Sequence, residues 1–445
     1  MADKNIIELT PFRADLARAL SRRGERLLAA TDLADEVATL DPLEAFHVVK
    51  DIGLDRALPI LLELSHEQLQ AGIDLDCWNR YDFAANSLDE WLTAFAVAGP
   101  ETLAKTFLSL DYVVQLLFLA QTVTVYDPDT DQVPQENKEN VTSRAMTPDG
   151  FYLLELKTEL ALKVHPFTLL DALYQYDPTA THRLLSEIRV DLPTQIEEEA
   201  LRFRSGRIED LGFATPDEAT ILFSRPPIQP LPRPQKPIDS AVTRIPSVYA
   251  GTFIETTLLQ KALSLITDQD FLSLLEQEIV WVINSAIIAY GEKTHDIEQS
   301  RNTAERVRDT ISLGLESLLA KQDPDCPPDS AEAAVKASDL LDIWSITDLF
   351  RHGFAATLGL QQEVRQALRD SLFHAWYNLP ETEQSDEPAD RQERAFVAAL
   401  LGHHPMCGGF DLAKVENVKA FICLPDINVA QVRLKRLIAR ICRQS

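Results

Sequence analysis

The chain has 445 residues, of which 45 % are hydrophobic, enough for sizeable buried cores and a prior of about three domains. Its formal net charge of −27 repels nucleic acid and anionic membranes and favours basic partners. Glycine is scarce, at 15 residues, which argues for helices and against glycine-rich nucleotide loops.

Taken from the N-terminus, Met-Ala-Asp-Lys opens without the apolar segment of a secretory signal. Residues 10–30 read as a helix opened by Thr10-Pro11, with Leu16, Leu20 and Leu27 on its apolar stripe. Its arginines, from Arg13 to Arg26, read as docking onto the acidic body or as solvation. From Asp32 to Gln121 a cycle of short amphipathic helices and polar turns follows. Leu40-Asp41-Pro42-Leu43-Glu44 predicts a cap by Asp41, Pro42 in the first turn and a capping box closed by Glu44. Ser87-Leu88-Asp89-Glu90 predicts another box, and Gly99-Pro100 a restart. Two-helix units of this size bury their apolar faces only by stacking, so a superhelix-like array is expected.

Thr122–Tyr126 is β-branched and aromatic and reads as a strand. The Thr147-Pro148-Asp149-Gly150 turn and the run from Phe151 to Leu156 complete a small β insertion near residues 122–157. Helices resume at Lys163. Asp177-Pro178 repeats the Asp41-Pro42 start, and Thr194–Glu197 and Thr215–Glu218 predict further caps. Residues 225–245 hold six prolines between Pro226 and Pro237 and read as an extended linker. From 246 to the end the chain is helical again: one or two helices over Thr256–Tyr290, one over Ile297–Lys321, acidic loops at Gln322–Ser330 and Pro380–Gln392, and a last helix opening near Asn428. The expected fold is mainly α: a helical-repeat domain over 1–224 with a β insertion, the linker, and a second helical domain over 246–445.

Candidate chemistry is sparse. Asp127, Asp129 and Asp131 have the spacing of a calcium loop, but Gln132 and Lys138 stand where that loop needs Gly and Glu. His403, His404 and Cys407 gather borderline metal ligands without a fourth nearby. His295-Asp296 is the kind of pair with which helical metal-dependent phosphohydrolases hold metals that activate water. Asp348, Arg351 and His352 share one helix face in an apolar stretch and read as an ion-pair cluster that could also hold a ligand. The five cysteines include no CxxC, so reduced thiols in a cytoplasmic protein are expected. The apolar runs Tyr112–Ala120 and Ile279–Tyr290 fall short of the about 20 residues that span a bilayer, so no membrane insertion is expected. No GxxxxGK[ST], GxGxxG, GxSxG or HExxH occurs, and no cofactor is called for.

Three short segments carry a resemblance. Lys50-Asp51-Ile52-Gly53-Leu54 with Asp74-Leu75-Asp76-Cys77-Trp78, and Arg207-Ile208-Glu209-Asp210-Leu211-Gly212-Phe213, resemble an uncharacterised bacterial family known only as a domain of unknown function. In helix length and Asp-Pro starts, residues 32–121 are also loosely similar to the helical superhelix of magnesium-transporter cytoplasmic domains and flagellar motor switch proteins. Neither resemblance implies catalytic residues. The reading is a cytosolic scaffold or regulatory protein that binds a protein partner through its stacked helices. The alternative is a helical enzyme centred on His295 and Asp296.

Overall fold

The computed structural model describes residues 23–79, 81–133, 143–157, 161–230, 245–253, 257–292, 294, 296–379, 388–407 and 419–442. Most of the helix expected over 10–30, most of the proline-rich stretch, residues 380–387 of the second acidic loop and His295 lie outside them.

Five helices begin the described chain: α1 (Arg23–Leu28), α2 (Leu33–Ala38), α3 (Pro42–Ile52), α4 (Leu58–Leu61) and α5 (His66–Asp76). Pro42 occupies the first turn of α3 as expected, but Asp41 makes no side-chain cap. Glu44 is drawn away: its Oε2 accepts the backbone N–H of Ser247 at 2.7 Å. The box that does form, between Ser65 and Gln68, opens α5, and Gln68 also donates to the carbonyls of Val37 and Leu40. The break after Asp76 is a tight hairpin of β1 (Trp78–Asn79) and β2 (Asp82–Phe83), with Trp78 opposite Phe83.

Next come α6 (Ala85–Val97), α7 (Pro100–Ser109) and α8 (Tyr112–Thr122). The box expected at Ser87 is absent because α6 already starts at Ala85, which places Ser87 inside the helix. Asp89 instead accepts the backbone N–H groups of Lys163 and Val164. Gly99, at φ 112°, makes the turn into Pro100. The β insertion is an antiparallel sheet of β3 (Val123–Tyr126), β4 (Arg144–Met146) and β5 (Leu153–Leu156), in the order β3-β5-β4. Gly150, at φ 76°, donates to the Thr147 carbonyl at 2.8 Å and closes the predicted turn.

The chain continues through α9 (Pro166–Tyr176), α10 (Pro178–Val190), α11 (Pro193–Asp210) and α12 (Pro216–Ala219). Asp177 caps α10 by accepting from Thr179 and Ala180, as the Asp-Pro start predicts. Thr194 makes no cap, because the helix begins one residue earlier at Pro193. Thr215 and Glu218 form the expected box.

Beyond the proline-rich stretch lie α13 (Ser247–Ala250), α14 (Leu258–Leu263), α15 (Gln269–Tyr290), α16 (Ile297–Gln322), α17 (Ala331–Ile343), α18 (Ile346–Ala367), α19 (Ser371–Tyr377), α20 (Pro388–Leu401) and α21 (Leu424–Cys442). The last helix opens four residues before the expected Asn428, and the second acidic loop gives way to helix at Pro388. Buried side chains from Leu27 to Phe354 form one cluster that takes in residues on both sides of the proline-rich stretch. A second cluster joins the end of α18 to α19, α20 and α21 around Phe373, Phe396, Phe421 and Leu434. The fold is mainly α with a small β insertion. Among the described residues one helix, α15, is long and apolar enough to cross a membrane, because the run ending at Tyr290 belongs to a 22-residue helix. Two thirds of its apolar window is buried within the fold, against α12, α16 and α18 among others.

Helices α16 and α18 approach each other at backbone contact. A Cβ on Gly314 would fall on the Leu349 carbonyl, and one on Gly353 on the Thr310 carbonyl. Two glycines facing each other's neighbours let the backbones touch.

Candidate functional site

A cavity of about 740 Å³ forms a cleft between the β1–β2 hairpin, α11, α12 and the end of α15. Helix α11 presents Leu201, Arg204, Ser205 and Ile208 to it, the three- and four-residue spacing of one helix face. Opposite are Ile288, Ala289 and Tyr290. Gly291, left-handed at φ 68°, ends α15 and turns the chain so that Glu292 and Thr294 join the wall. Thr294 is tied to the hairpin side by donating to the Leu75 carbonyl at 2.6 Å. Tyr81, at the hairpin turn, is 59 % exposed at the rim.

Trp78 is the centre of the hairpin wall. Its ring meets Phe83 edge-on at 5.3 Å, and the Arg204 guanidinium lies over it at 5.1 Å. Its indole N–H is buried and has no partner among the described residues. Arg204 donates through Nε to the Asp74 carbonyl at 2.8 Å. Burial pulls its pKa down to about 10, opposed by Asp74, so it stays charged at neutral pH.

Behind the cleft lies a fixed polar network. Asp74, on α5, is fully buried and accepts a fork from Arg207, with Nε at 2.5 Å and Nη2 at 3.0 Å. Arg207 also reaches the Asp111 carboxylate at 2.6 Å, and Gln70 donates to the Asp74 carboxylate while accepting the Asp111 backbone N–H. Two residues on, Asp76 accepts from Lys50 at 2.9 Å and from the Trp91 indole at 2.7 Å. Burial pushes the Asp74 carboxyl up against the pull of Arg207. Each buried carboxylate therefore has a cation, as a buried charge requires.

A second network leads from the opposite wall. Glu292 accepts from Thr303 and lies 3.7 Å from Arg306, while burial raises its carboxyl. The Arg306 guanidinium covers the Tyr290 ring at 4.6 Å, and Tyr290 Oη meets His404 Nδ1 at 2.7 Å. Thr310 lies 3.3 Å from the other ring nitrogen of His404. Burial first, then Arg306, lowers the His404 pKa to about 3, so the ring is neutral.

The described residues singled out from the sequence as candidate chemistry do not line this cleft. Asp348 and Arg351 pair at 3.0 Å, and Arg351 donates onward to the Ile221 carbonyl. His352 stands edge-on to Trp344 at 4.9 Å, its pKa lowered by burial and by Lys321, and faces the Pro227 carbonyl. The three are together, and they fasten the 221–227 segment to α18. Asp296 caps α16 by accepting from Gln299 at 3.0 Å. His403 packs edge-on against Phe223 at 4.5 Å, both His404 nitrogens are engaged as described, and Cys407 forms a backbone bridge with Lys419. Around Asp127, Asp129 and Asp131 the positive charge comes from Arg189, at 2.8 Å from Asp131 and 3.7 Å from Asp127. Among the described residues Asp323, Cys326 and Glu332 alone lie close enough to share a metal, and Lys336 bonds both carboxylates there.

Sequence reasoning missed Trp78, Tyr81, Arg204 and Glu292 as a site. The available signal lay in two of the segments carrying the family resemblance, 74–78 and 207–213, which pack against each other through Asp74 and Arg207. The chain belongs to a family of unknown function, DUF6178, which it matches over residues 5–442. No curated protein and no solved structure matches it.

Proposed function

We propose that this chain is a cytosolic binding protein that takes a segment of a partner protein into the Trp78–Arg204 cleft. The observation that carries this is the cleft itself: about 740 Å³, with apolar walls, a few convergent polar groups and an exposed aromatic rim residue, Tyr81. Recognition sites have this composition, since apolar walls supply affinity and sparse polar groups fix orientation. The Asp74–Arg207 network holds α5 and α11 at a fixed spacing, so the two walls are preorganised. The −27 net charge favours a basic partner and disfavours nucleic acid.

A photo-crosslinking residue in place of Tyr81, compared with one at the exposed Val97, tests this in native cells. The expected result is one partner species from position 81, lost when Ser205→Trp fills the cleft. The same species from both positions, or no effect of the filled cleft, sinks the idea.

The alternative is an enzyme, with a metal-dependent phosphohydrolase centred on His295 and Asp296 as the specific case. What favours it is that Glu292 and Thr294, just before that pair, line the cleft, and that burial raises the Glu292 carboxyl. Metal analysis and phosphatase assays of the purified chain, with His295→Ala as control, decide it. Protein without bound metal and without activity removes this reading.

A further inference from the structure

A separate cavity of about 310 Å³ lies between α1, α3, α13 and α16. His47, on α3, lines it and is 2 % exposed. Phe46 and Tyr249 pack against its ring at 5.3 Å and fix its plane. Neither ring nitrogen has a hydrogen-bond partner among the described residues. Leaving a buried donor and a buried acceptor both unmet is costly, and such groups call for a ligand or water. Burial, then Arg301, lowers the His47 pKa to about 3, so the ring is neutral and offers one donor and one acceptor.

The remaining polar wall carries both signs of charge. Arg23 and Arg301 stand with Asp51 and Glu305. Arg301 pairs with Asp51 at 3.1 Å, and Arg23 lies 3.8 Å from the Glu44 carboxylate. A simple anion is opposed by Asp51 and Glu305, and a simple cation by the two arginines. A molecule carrying both charges answers both.

We propose that this cavity binds a small zwitterion of the amino-acid type, its carboxylate toward Arg23 and Arg301, its ammonium toward Asp51 and Glu305, and His47 hydrogen-bonded to it. The volume is at the small end of ligand sites, which suits such a molecule. The walls come from both sides of the proline-rich stretch, so an occupant ties α3 to α13 and α16 and raises thermal stability. The proposal is independent of the Trp78 cleft.

The test is thermal unfolding and calorimetric titration of the full chain with the standard amino acids, first pooled and then singly. One or a few should raise the melting temperature saturably. Their amides and N-acetyl derivatives, each lacking one charge, should bind at least about tenfold more weakly. Arg301→Gln should weaken binding about tenfold as well, and its exposed pair with Asp51 adds little to folding. His47→Phe should abolish the shift. The proposal is overturned if no amino acid shifts the unmodified chain, if the amide and N-acetyl forms bind equally, or if Arg301→Gln binds like the parent.

Discussion

Replacing Arg207 with Met tests whether the network behind the cleft is held by charge compensation. Asp74 is fully buried, and Arg207 supplies its fork. Removing one partner of a buried ion pair costs about 3–5 kcal/mol, because the other charge stays uncompensated. Gln70 still donates to Asp74 at 3.1 Å, and Arg204 remains nearby, which places this site at the low end. Losing the partly exposed Asp111 contact adds at most about 1 kcal/mol. The expected deficit at neutral pH is therefore about 3–4 kcal/mol, read from urea unfolding followed by tryptophan fluorescence. The pH dependence has a definite sign. Burial already raises the Asp74 carboxyl, and without Arg207 it rises further. A carboxyl whose folded pKa lies above its unfolded value contributes stability at low pH and loses it as pH rises through the folded value. The deficit should thus shrink as the solution is acidified. Asp74→Asn in the same chain removes the stranded charge, keeps an acceptor for Gln70 and should recover most of the loss. A deficit below about 1 kcal/mol, one that is flat with pH, or no recovery with Asp74→Asn refutes the reasoning.

On α18, Gly353→Ala pushes a Cβ into the Thr310 carbonyl and should destabilise by about 1–3 kcal/mol, whereas Gly359→Ala meets open space and should stabilise by about 0.5–1 kcal/mol. Equal thermal midpoints for the two variants would contradict the close α16–α18 contact. Glu316 accepts the Leu424 N–H at 2.8 Å, and burial raises its pKa to about 7. Its folded value lies above the unfolded one, so its contribution falls as pH rises toward about 7. Glu316→Gln should match the parent at low pH and exceed it by on the order of 1–3 kcal/mol in mildly alkaline solution, checked by denaturant midpoints across pH. Thr215→Ala should cost about 1 kcal/mol locally, seen as faster amide exchange at Glu218 at the cleft edge.

Short-range features were legible in the sequence because their causes are short-range. Pro100, Asp177-Pro178 and the Thr215–Glu218 box each act within a few residues, and each sits where expected. So does β3, whose β-branched run needs only a partner strand. The failures come from tertiary demands on a side chain or from a helix that starts early. Glu44 could close a box locally but is used by Ser247, 203 residues away. Asp89 serves Lys163 and Val164, and the N-terminus of α6 reaches back beyond Ser87. A carboxylate near a helix start is a cap by default and a tertiary anchor when the fold brings an unmet N–H to it. No periodicity reveals which.

Tertiary placement likewise hides the cleft from a direct reading of the sequence. Its walls come from Trp78, Asn79 and Tyr81, from residues between 201 and 220, and from 288–292 with Thr294, and no single stretch carries a catalytic spacing. What fixes the walls is Arg207 reaching across 133 residues to Asp74. Arg204, one turn earlier on α11, uses its Nε on the Asp74 carbonyl and its guanidinium face on Trp78. Two arginines on one helix thus hold the backbone and the side chain of a single α5 residue, and one of them also forms cleft surface. Displacing Asp74 therefore moves the binding wall as well as weakening the fold. The stability deficit of Arg207→Met and a loss of partner crosslinking from position 81 should then appear together. If crosslinking survives in a chain destabilised by the full amount, the wall does not depend on the network, and the cleft is not where the partner is held.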